Sequence, residues 1–404
     1  MTDLIESRIK AIKEGKLPEG YKRTKAGIMP VDWDGTIQAK KLFKKHTDKK
    51  HDGDLEILAA TQERGIVPRS QIGIDIQCSD EGVKGYKKVS KGDFVISLRS
   101  FQGGIEYSEY TGIISPAYTV LKPIKDISTG FYRNYFKTDT FIKRLNGAVY
   151  GIRDGKQIGY EDFGDMYVHC PPLAEQERIT EILTQCDRVI ELKEQKLDEL
   201  KQLKKEFLRK MFPAKGCDTP EIRFPGFTGA WEQRKLGDLC VEFRSGEFIS
   251  ASDITETGEY PVFGGNGLRG FTDRFNHDGE YTLIGRQGAL CGNVNFAVGK
   301  SYFTEHAIAV RADKKNQTRF LYYLFSTMDL GQYSGQSAQP GLAVGNLVEL
   351  KSTLPDKQEQ EKISGFLTAL DTLITLHQRE LEETKTYKKT LAKLLLTGIV
   401  RVQG

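Results

Sequence analysis

The sequence is short of several features that would point to a membrane, an exported protein or a metal site. No run of eighteen apolar residues occurs in the 404 residues, so a membrane-spanning helix is not expected. The charged first segment, MTDLIESRIKAIKEGK, lacks the apolar core of a signal peptide, so export is not expected either. The six cysteines are scattered and form no CxxC pair, which favours reduced thiols over a disulfide framework or a zinc site. These absences predict a cytoplasmic protein with no membrane partner.

Signatures of catalysis are missing as well. There is no GKS or GKT phosphate loop, no HExxH and no GxSxG, and the six histidines lack the spacing of metal ligands. One of them, His306, is predicted to be a packed strand residue. The single GxGxxG pattern, from Gly265 to Gly270, precedes no apolar helical period, which favours a turn or recognition loop over a dinucleotide site. We therefore expect a binding or scaffolding protein with no catalytic or metal site of its own.

What the chain does contain is a long internal repeat. The segments that begin at Glu177 and Glu361 align without gaps at an offset of 184 residues. Apolar residues recur in both copies at heptad spacing, which is typical of a coiled-coil helix of about 40 residues and about 60 Å. Two such helices can bury their apolar faces against each other, so we predict an antiparallel coiled coil. The predicted interface residues are Leu183, Ile190, Leu197, Met211, Leu367, Ile374, Leu381 and Leu395.

Each long helix follows a block in which short β-like runs alternate with Gly-rich turns. The two blocks resemble each other loosely, since KGDFVISLRSFQGG from Lys91 has a counterpart in DGEYTLIGRQGALCG from Asp278. The predicted fold class is therefore α+β, with two pseudo-repeated globular domains joined by two long helices. The predicted divisions are a first domain at 1–170 with an N-terminal helix at about 1–16, a central helix at 171–213, a second domain at 214–353 and a C-terminal helix at 354–404.

Both blocks carry Arg, Lys, Gln and Asn among glycines. Arg binds guanine O6 and N7 through two hydrogen bonds, Asn and Gln bind adenine in the same way, and glycines allow a loop to approach the groove. For any single residue an ordinary surface loop is the better explanation, but for the whole set DNA recognition is favoured. The predicted DNA-contacting residues are Arg64, Arg69, Arg99, Gln102, Arg153 and Lys156 in the first block, and Asn266, Arg269, Arg286 and Gln287 in the second.

Positive charge is concentrated at the start of the chain. The net charge is +4, and residues 1–50 hold 13 Lys and Arg against 7 Asp and Glu. A basic segment suits contacts with phosphate groups, although a solvated lysine-rich surface is the commoner explanation.

Two variable blocks, each followed by a long helix that begins Pro-x-x-x-Glu-Gln-Glu-Arg/Lys-Ile, resemble the specificity subunits of type I restriction–modification systems. This resemblance covers essentially the whole chain. It implies two target recognition domains that each read one half of a split, asymmetric site in double-stranded DNA, with the coiled coil setting the gap. It also implies two methyltransferase subunits and, through the complex, restriction subunits as partners. S-adenosylmethionine, ATP and Mg²⁺ are expected on those partners and not on this chain.

Two other classes of function remain open at this point. One is a chain of two modules that bind carbohydrate or protein on a coiled-coil stalk, which the mild net charge permits. Alternatively, an enzyme with an unrecognised active site would need acids or histidines of perturbed pKa clustered in a pocket.

Overall fold

The computed structural model describes residues 2–61, 64–73, 83–97, 104–148, 158–288, 290–335 and 341–402. The chain divides into two compact units. The first unit comprises Met1–Leu192 and Leu381–Gly404, and the second comprises Lys193–Glu380. Both contain strands and helices, and each contains part of both long helices.

The first unit is built around an antiparallel sheet of four short strands in the order β3-β10-β7-β8. Three two-stranded pairs, β1-β2, β4-β5 and β6-β9, accompany it. The strands are β1 (Tyr21–Thr24), β2 (Gly27–Pro30), β3 (Phe43–His46), β4 (Leu58–Thr61), β5 (Gly65–Pro68), β6 (Lys87–Val89), β7 (Phe94–Ile96), β8 (Ile105–Tyr107), β9 (Gly112–Ile114) and β10 (Thr119–Pro123). The helices are α1 (Thr2–Lys13), α2 (Thr129–Tyr135), α3 (Asp139–Ala148), α4 (Tyr160–Gly164) and the long α5 (Leu173–Met211), which continues into the second unit.

Aromatic side chains fill the core between this sheet and α2. The ring of Phe43 on β3 lies 5.3 Å from that of Phe94 on β7 and 5.3 Å from that of Tyr132 on α2. All three side chains are fully buried. Removing each large apolar side chain from water contributes roughly 1.5–3 kcal/mol, so these contacts hold the sheet against the helix.

The second unit repeats this plan with different strand lengths. Its main sheet has the order β12-β18-β15-β16, again antiparallel, beside a three-stranded sheet β14-β13-β17 and the pair β11-β19. The strands are β11 (Glu232–Lys235), β12 (Cys240–Ser245), β13 (Tyr260–Gly264), β14 (Gly267–Thr272), β15 (Glu280–Gly285), β16 (Val294–Val298), β17 (Tyr302–Phe303), β18 (Ala307–Ala312) and β19 (Lys351–Leu354). The helices are α6 (Thr318–Thr327), α7 (Val344–Glu349) and the long α8 (Lys357–Leu396), which continues into the first unit.

The two main sheets share one topology. In each, the first strand pairs with the last, the last pairs with an inner strand, and the next strand along the chain forms the other edge. A hairpin, β4-β5 in the first unit and β13-β14 in the second, follows the first strand in both. The duplication that the helices show in sequence therefore extends to the globular parts.

Local sequence explains where the long helices begin and end. α5 starts directly after Pro172, and α8 starts after Asp356, whose carboxylate accepts a hydrogen bond from the Glu359 N–H at 2.9 Å. α5 ends two residues before Pro213. α8 ends before Gly398, which has a left-handed φ of 71° and lies so close to Pro30 that a Cβ would approach its ring to 2.6 Å.

The long helices run antiparallel within each unit. In the first unit Ile179 and Leu183, early in α5, share a core with Leu395 and Leu396, late in α8. In the second unit the late part of α5 shares a core with the early part of α8. Each unit also contains an inter-helix ion pair that has an equivalent in the other unit. The two pairs are Asp187 with Lys388 and Lys204 with Asp371, and their members are related by the repeat offset of 184.

The predicted interface residues all lie on the covered side of these helices. Leu183, Leu197, Met211, Leu367, Leu381 and Leu395 are buried, and Ile190 and Ile374 are half-buried. The N-terminal helix predicted at about 1–16 is α1, and Arg8 donates to the Ile399 carbonyl at 2.8 Å, just beyond the end of α8.

Candidate nucleic-acid interface

Three glycine-bearing segments of the second unit pack backbone against backbone. A Cβ on Gly285 would lie 2.4 Å from the Gly265 carbonyl oxygen, and a Cβ on Gly265 would lie 2.9 Å from the His306 carbonyl oxygen. The Arg286 N–H donates to that same His306 carbonyl at 2.9 Å. The turn between β13 and β14, the loop after β15 and the turn before β18 are therefore locked together by close contacts that only glycine permits.

The GxGxxG segment is the first of these and forms a β-hairpin turn. Gly264 pairs with Gly267, so Gly265 and Asn266 are the turn residues and a strand follows them. Gly267 has a φ of 91°, a left-handed value that favours glycine. Because no helix follows, this is not a dinucleotide site, as predicted from the sequence.

Side chains from the three segments line a cleft of about 370 Å³, which we call the second-unit cleft. It is lined by Gly265, Asn266, Arg269, Gln287, Leu290 and His306. Three of the four residues predicted for this unit therefore come together. Arg286 is half-buried and does not line the cleft, and its carbonyl accepts from the Leu342 N–H at 2.9 Å.

His306 and Leu290 are the lining residues that sequence reasoning missed. The prediction that His306 is a packed strand residue is wrong, because it is half-buried in the turn before β18. Its Nδ1 lies 3.0 Å from Gln287 Oε1, and its Nε2 lies 3.2 Å from Glu305 Oε1. Leu290 is 49% exposed. A histidine just ahead of the apolar run AIAV was the available signal that its side chain lies at a strand end, and Leu290 gave none.

The polar groups of the cleft are largely available to a ligand. Arg269 is exposed, and among the described residues its side chain makes no hydrogen bond or ion pair. A guanidinium and two amides on glycine-supported loops provide hydrogen-bond donors and acceptors of the kind that recognise base edges.

In the first unit the predicted residues are only partly within the described part of the chain. Arg64 is exposed at the β4-β5 turn, which corresponds to the β13-β14 turn, and it donates to Gln71 Oε1 at 2.9 Å. Arg69 is half-buried against Tyr86, with its guanidinium 5.7 Å from the ring centre. Arg99, Gln102, Arg153 and Lys156 lie outside the described residues.

A lysine cluster also lies in the first unit. Burial lowers the pKa of Lys87, and the positive charges of Lys45 and Lys49 lower it further. On the main sheet Lys44 of β3 stands opposite Lys122 of β10. Part of the basic charge found at the start of the sequence thus lies close together in this unit, although Lys44 and Lys45 are consecutive on β3 and point to opposite faces of the sheet. Such charge suits contacts with phosphate groups.

The long helices carry exposed apolar side chains that repeat at the offset of 184. Val189 and Leu373 are 45% and 40% exposed, Leu192 and Leu376 are 56% and 52% exposed, and Leu203 and Tyr387 are 45% and 64% exposed. Folding of a coiled coil does not require apolar residues outside its seam. Their repetition therefore points to two equivalent contact surfaces.

No group of three or more His, Cys, Asp or Glu side chains is arranged to hold a metal ion anywhere in the described ranges. Over the same residues, none of the helices has the length and apolar character needed to cross a membrane.

Comparison with known families agrees with this geometry. A family described as "Type I restriction modification DNA specificity domain" matches twice, at residues 35–202 and 229–386. The chain belongs to this family. The predicted family, the α+β fold class with two domains and paired long helices, and the DNA-specificity function are thereby confirmed. The alternative function, two modules on a coiled-coil stalk that bind ligands other than DNA, is not favoured.

Individual relatives bear similar descriptions. The chain is 45% identical over 146 residues to the type I restriction enzyme EcoprrI specificity subunit of Escherichia coli, a match that covers 35% of this chain and 36% of that protein. It is 25% identical over 350 residues to the MjaVIII specificity subunit of Methanocaldococcus jannaschii, covering 78% and 81%.

Solved structures share the fold at low sequence identity. A chain from a type I R-M system, solved in work on its complex assembly and conformational transition, has a TM-score of 0.57 at 16% identity and covers 95% of this chain and 100% of its own. The S subunit of a type I system from M. genitalium has a TM-score of 0.55 at 16% identity, covering 92% and 98%.

Proposed function

We propose that this chain is the non-catalytic specificity subunit of a type I restriction–modification complex that acts on DNA in the cytoplasm. Each globular domain reads one half of a split, asymmetric DNA site. The paired helices set the gap between the halves, and they bind two copies of a modification subunit, which in turn bring in the restriction subunits. S-adenosylmethionine, ATP and Mg²⁺ are bound by these partners.

The observation that carries this proposal is the duplication itself. Two sheets of identical strand order are each joined to one long helix, and both helices begin with the same Glu-Gln pair. Two linked readers bind tightly only when both half-sites have the right separation and phase, because the second binding event is then intramolecular. A duplicated reader with paired helices is thus suited to a bipartite site with a fixed gap.

The proposal of two modification subunits rests on the three repeated apolar pairs on the long helices. An exposed leucine has an unfavourable contact with water that a partner would remove. Since the same three positions are exposed and apolar in both copies of the repeat, two identical partners fit better than one. Homologous surfaces on one chain bind identical subunits in the same manner.

Mapping N6-methyladenine tests this function directly. The chain and its cognate modification subunit are expressed in a methylation-deficient host, alongside a control with the modification subunit alone. We expect a split motif with a fixed gap only when the chain is present. If an active methyltransferase produces no motif that depends on the chain, the proposed function is wrong. The affinity of the complex for its site should also fall steeply with salt, since phosphate contacts release counterions.

A further inference from the structure

The second-unit cleft contains more than a set of exposed polar residues, because its side chains are held in specific orientations. Gln287 Oε1 lies 3.0 Å from His306 Nδ1, so the ring nitrogen is the donor and the amide oxygen the acceptor. Among the described residues the Gln287 amide nitrogen makes no hydrogen bond. The amide is thus held through one lone pair of its oxygen, so the second lone pair can accept from a ligand while the NH₂ group donates to it.

The backbone segments beneath these side chains are joined by close contacts. The Arg286 N–H bond to the His306 carbonyl joins the loop that bears Gln287 to the turn that bears His306. The close approach of Gly285 to Gly265 joins the same loop to the hairpin that bears Asn266. Groups supported in this way lose little entropy on binding, as a site that discriminates between bases requires.

The amide and apolar side chains of the lining match one base pair, and Arg269 in the same cleft suits a neighbouring guanine or a phosphate group. Asn266 and Gln287 supply two amide groups, which match the N7 acceptor and N6 donor that adenine presents in the major groove. Leu290 supplies an exposed apolar side chain in the same cleft, and apolar side chains recognise the methyl group of thymine. An amide and an apolar side chain in one cleft match the two partners of a single A·T pair.

We propose that the second-unit cleft reads an A·T base pair in the major groove of its half-site. Gln287 binds the adenine, Leu290 contacts the thymine methyl group, and His306 is a positioning residue that orients Gln287. This assignment rests on the proposed function, since it requires that the second domain reads DNA.

The test is the N6-methyladenine map described above, repeated with variants in the full complex. We expect Gln287→Ala to relax a single A·T position in one half-site, with preference for that pair falling by about tenfold to a hundredfold. The other half-site and the gap should not change. Leu290→Ala should relax the same base pair. Matched controls outside the cleft are Gln233→Ala for the exposed amide and Val298→Ala for the exposed apolar side chain, and neither should alter the motif.

A gain of preference provides a readout that misfolding cannot produce. Arginine binds guanine through two hydrogen bonds, so Gln287→Arg should shift the same position from adenine towards guanine. For His306, the alanine variant should relax only the position that Gln287→Ala relaxes, and the double variant should relax it no further. His306→Asn, which retains an N–H donor, should restore part of the preference.

The possible outcomes separate this inference from the function on which it rests. If the unaltered chain produces no motif, the proposed function is wrong. If it produces a split motif and the Gln287 and Leu290 variants leave every position unchanged, only the assignment of the cleft is wrong. The assignment is also wrong if the position that these variants alter is a G·C pair in the original motif.

Discussion

At the start of each long helix a buried glutamate is held by an arginine, but the two arginines come from different parts of the chain. Glu175 of α5 is bound by Arg401, which lies beyond the end of α8, and by the Trp33 indole N–H at 2.8 Å. Glu359 of α8 is bound through two 2.7 Å hydrogen bonds by Arg223, which lies between α5 and β11. Each arginine follows the long helix that ends in its own unit.

The neighbouring glutamines make the same contacts in both units. Gln176 accepts from the Ser128 N–H at the start of α2, and Gln360 accepts from the Gln317 N–H at the start of α6, both at 3.0 Å. Each glutamine also donates to the carbonyl of a proline just ahead of its own helix. The junctions at the starts of α5 and α8 are thus nearly identical, whereas the surfaces differ, with neighbouring lysines in the first unit and amides in the cleft of the second.

The two units therefore share the residues that position the long helices, and they differ in the side chains that are exposed to a ligand. The glutamates and glutamines of the junctions are buried and have their hydrogen bonds satisfied, so substitutions there are costly. Loop residues at strand ends are exposed and can change without loss of stability.

The largest effect is expected at the junction of the second unit. Glu359→Ala leaves Arg223, whose side chain is only 16% exposed, without its counter-charge and should lower the free energy of unfolding of this unit by about 3–5 kcal/mol. Glu361→Ala, on an exposed position of the same helix, is the matched control and should change it by less than about 0.5 kcal/mol. Urea unfolding followed by Trp231 fluorescence measures both. Equal effects of the two substitutions would contradict a structural role for the pair.

The stability of the first unit should decrease at acidic pH because of His169. Burial lowers the pKa of His169 from 6.5 to about 4, so the folded unit holds this residue neutral while the unfolded chain takes up a proton more readily. The contribution of His169 to the free energy of unfolding is therefore fully present above pH 6.5. It should fall by about 3 kcal/mol as the pH drops from 6.5 to 4. Trp33 fluorescence in a Trp231→Phe background reports on the unit that contains His169.

His169→Gln is the control for this dependence, because a glutamine can donate a hydrogen bond but does not titrate. It should flatten the pH profile of the first unit between pH 6.5 and 4. An unchanged profile in this variant would assign the acid sensitivity to other groups.

The two sets of exposed apolar residues, one on each long helix, should each bind one modification subunit independently of the other. Leu192→Asp and Leu376→Asp should each weaken binding of one modification subunit by about 2 kcal/mol, or roughly thirtyfold, because a charge replaces an apolar contact. Native mass spectrometry should then show one bound copy for either single variant and none for the double variant. Gln195→Asp, an exposed position on α5, is the control. Loss of both copies from one single substitution would mean that the partners bind as a unit.

The smallest effect should be the difference in stability between substitutions of the two tryptophans. Trp33 donates to Glu175, whereas the buried Trp231 Nε1 has no hydrogen-bond partner among the described residues. Trp33→Phe should therefore cost about 1–2 kcal/mol more than Trp231→Phe, since only the first substitution removes a hydrogen bond to a charged group. Thermal unfolding of both variants measures the difference, and equal costs would show that this bond contributes little.

The long helices could be predicted because their residues repeat at a period that only one structure satisfies. Leu183 and Leu367 are buried as the heptad spacing requires, and α5 lies within the predicted range 171–213. Prolines and the Asp356 cap mark the helix starts in the sequence itself. The α+β character of the blocks followed from β-like runs between glycines, but their strand order could not be inferred, because it depends on pairing between distant segments.

The candidate site could be predicted only in part. Residue chemistry pointed to Asn266, Arg269 and Gln287, and the structure brings these three into one cleft. Residue chemistry pointed equally to Arg69, which packs against Tyr86 in the structure. It could not tell this half-buried residue from an exposed one such as Arg64. Exposure is a property of the folded chain, so a list of polar residues in loops contains both kinds.

Taken alone, the sequence determined that the chain carries two copies of one plan and that each copy ends in a helix with an apolar seam. This follows because heptad periodicity and a constant offset are local patterns that survive without knowledge of the fold. Tertiary structure decided that His306 lies within hydrogen-bonding distance of Gln287 in a cleft that Leu290 also lines, and that Arg401 contacts Glu175. These contacts join segments that are far apart in the chain, and only the packing of strands and helices brings their atoms within hydrogen-bonding distance.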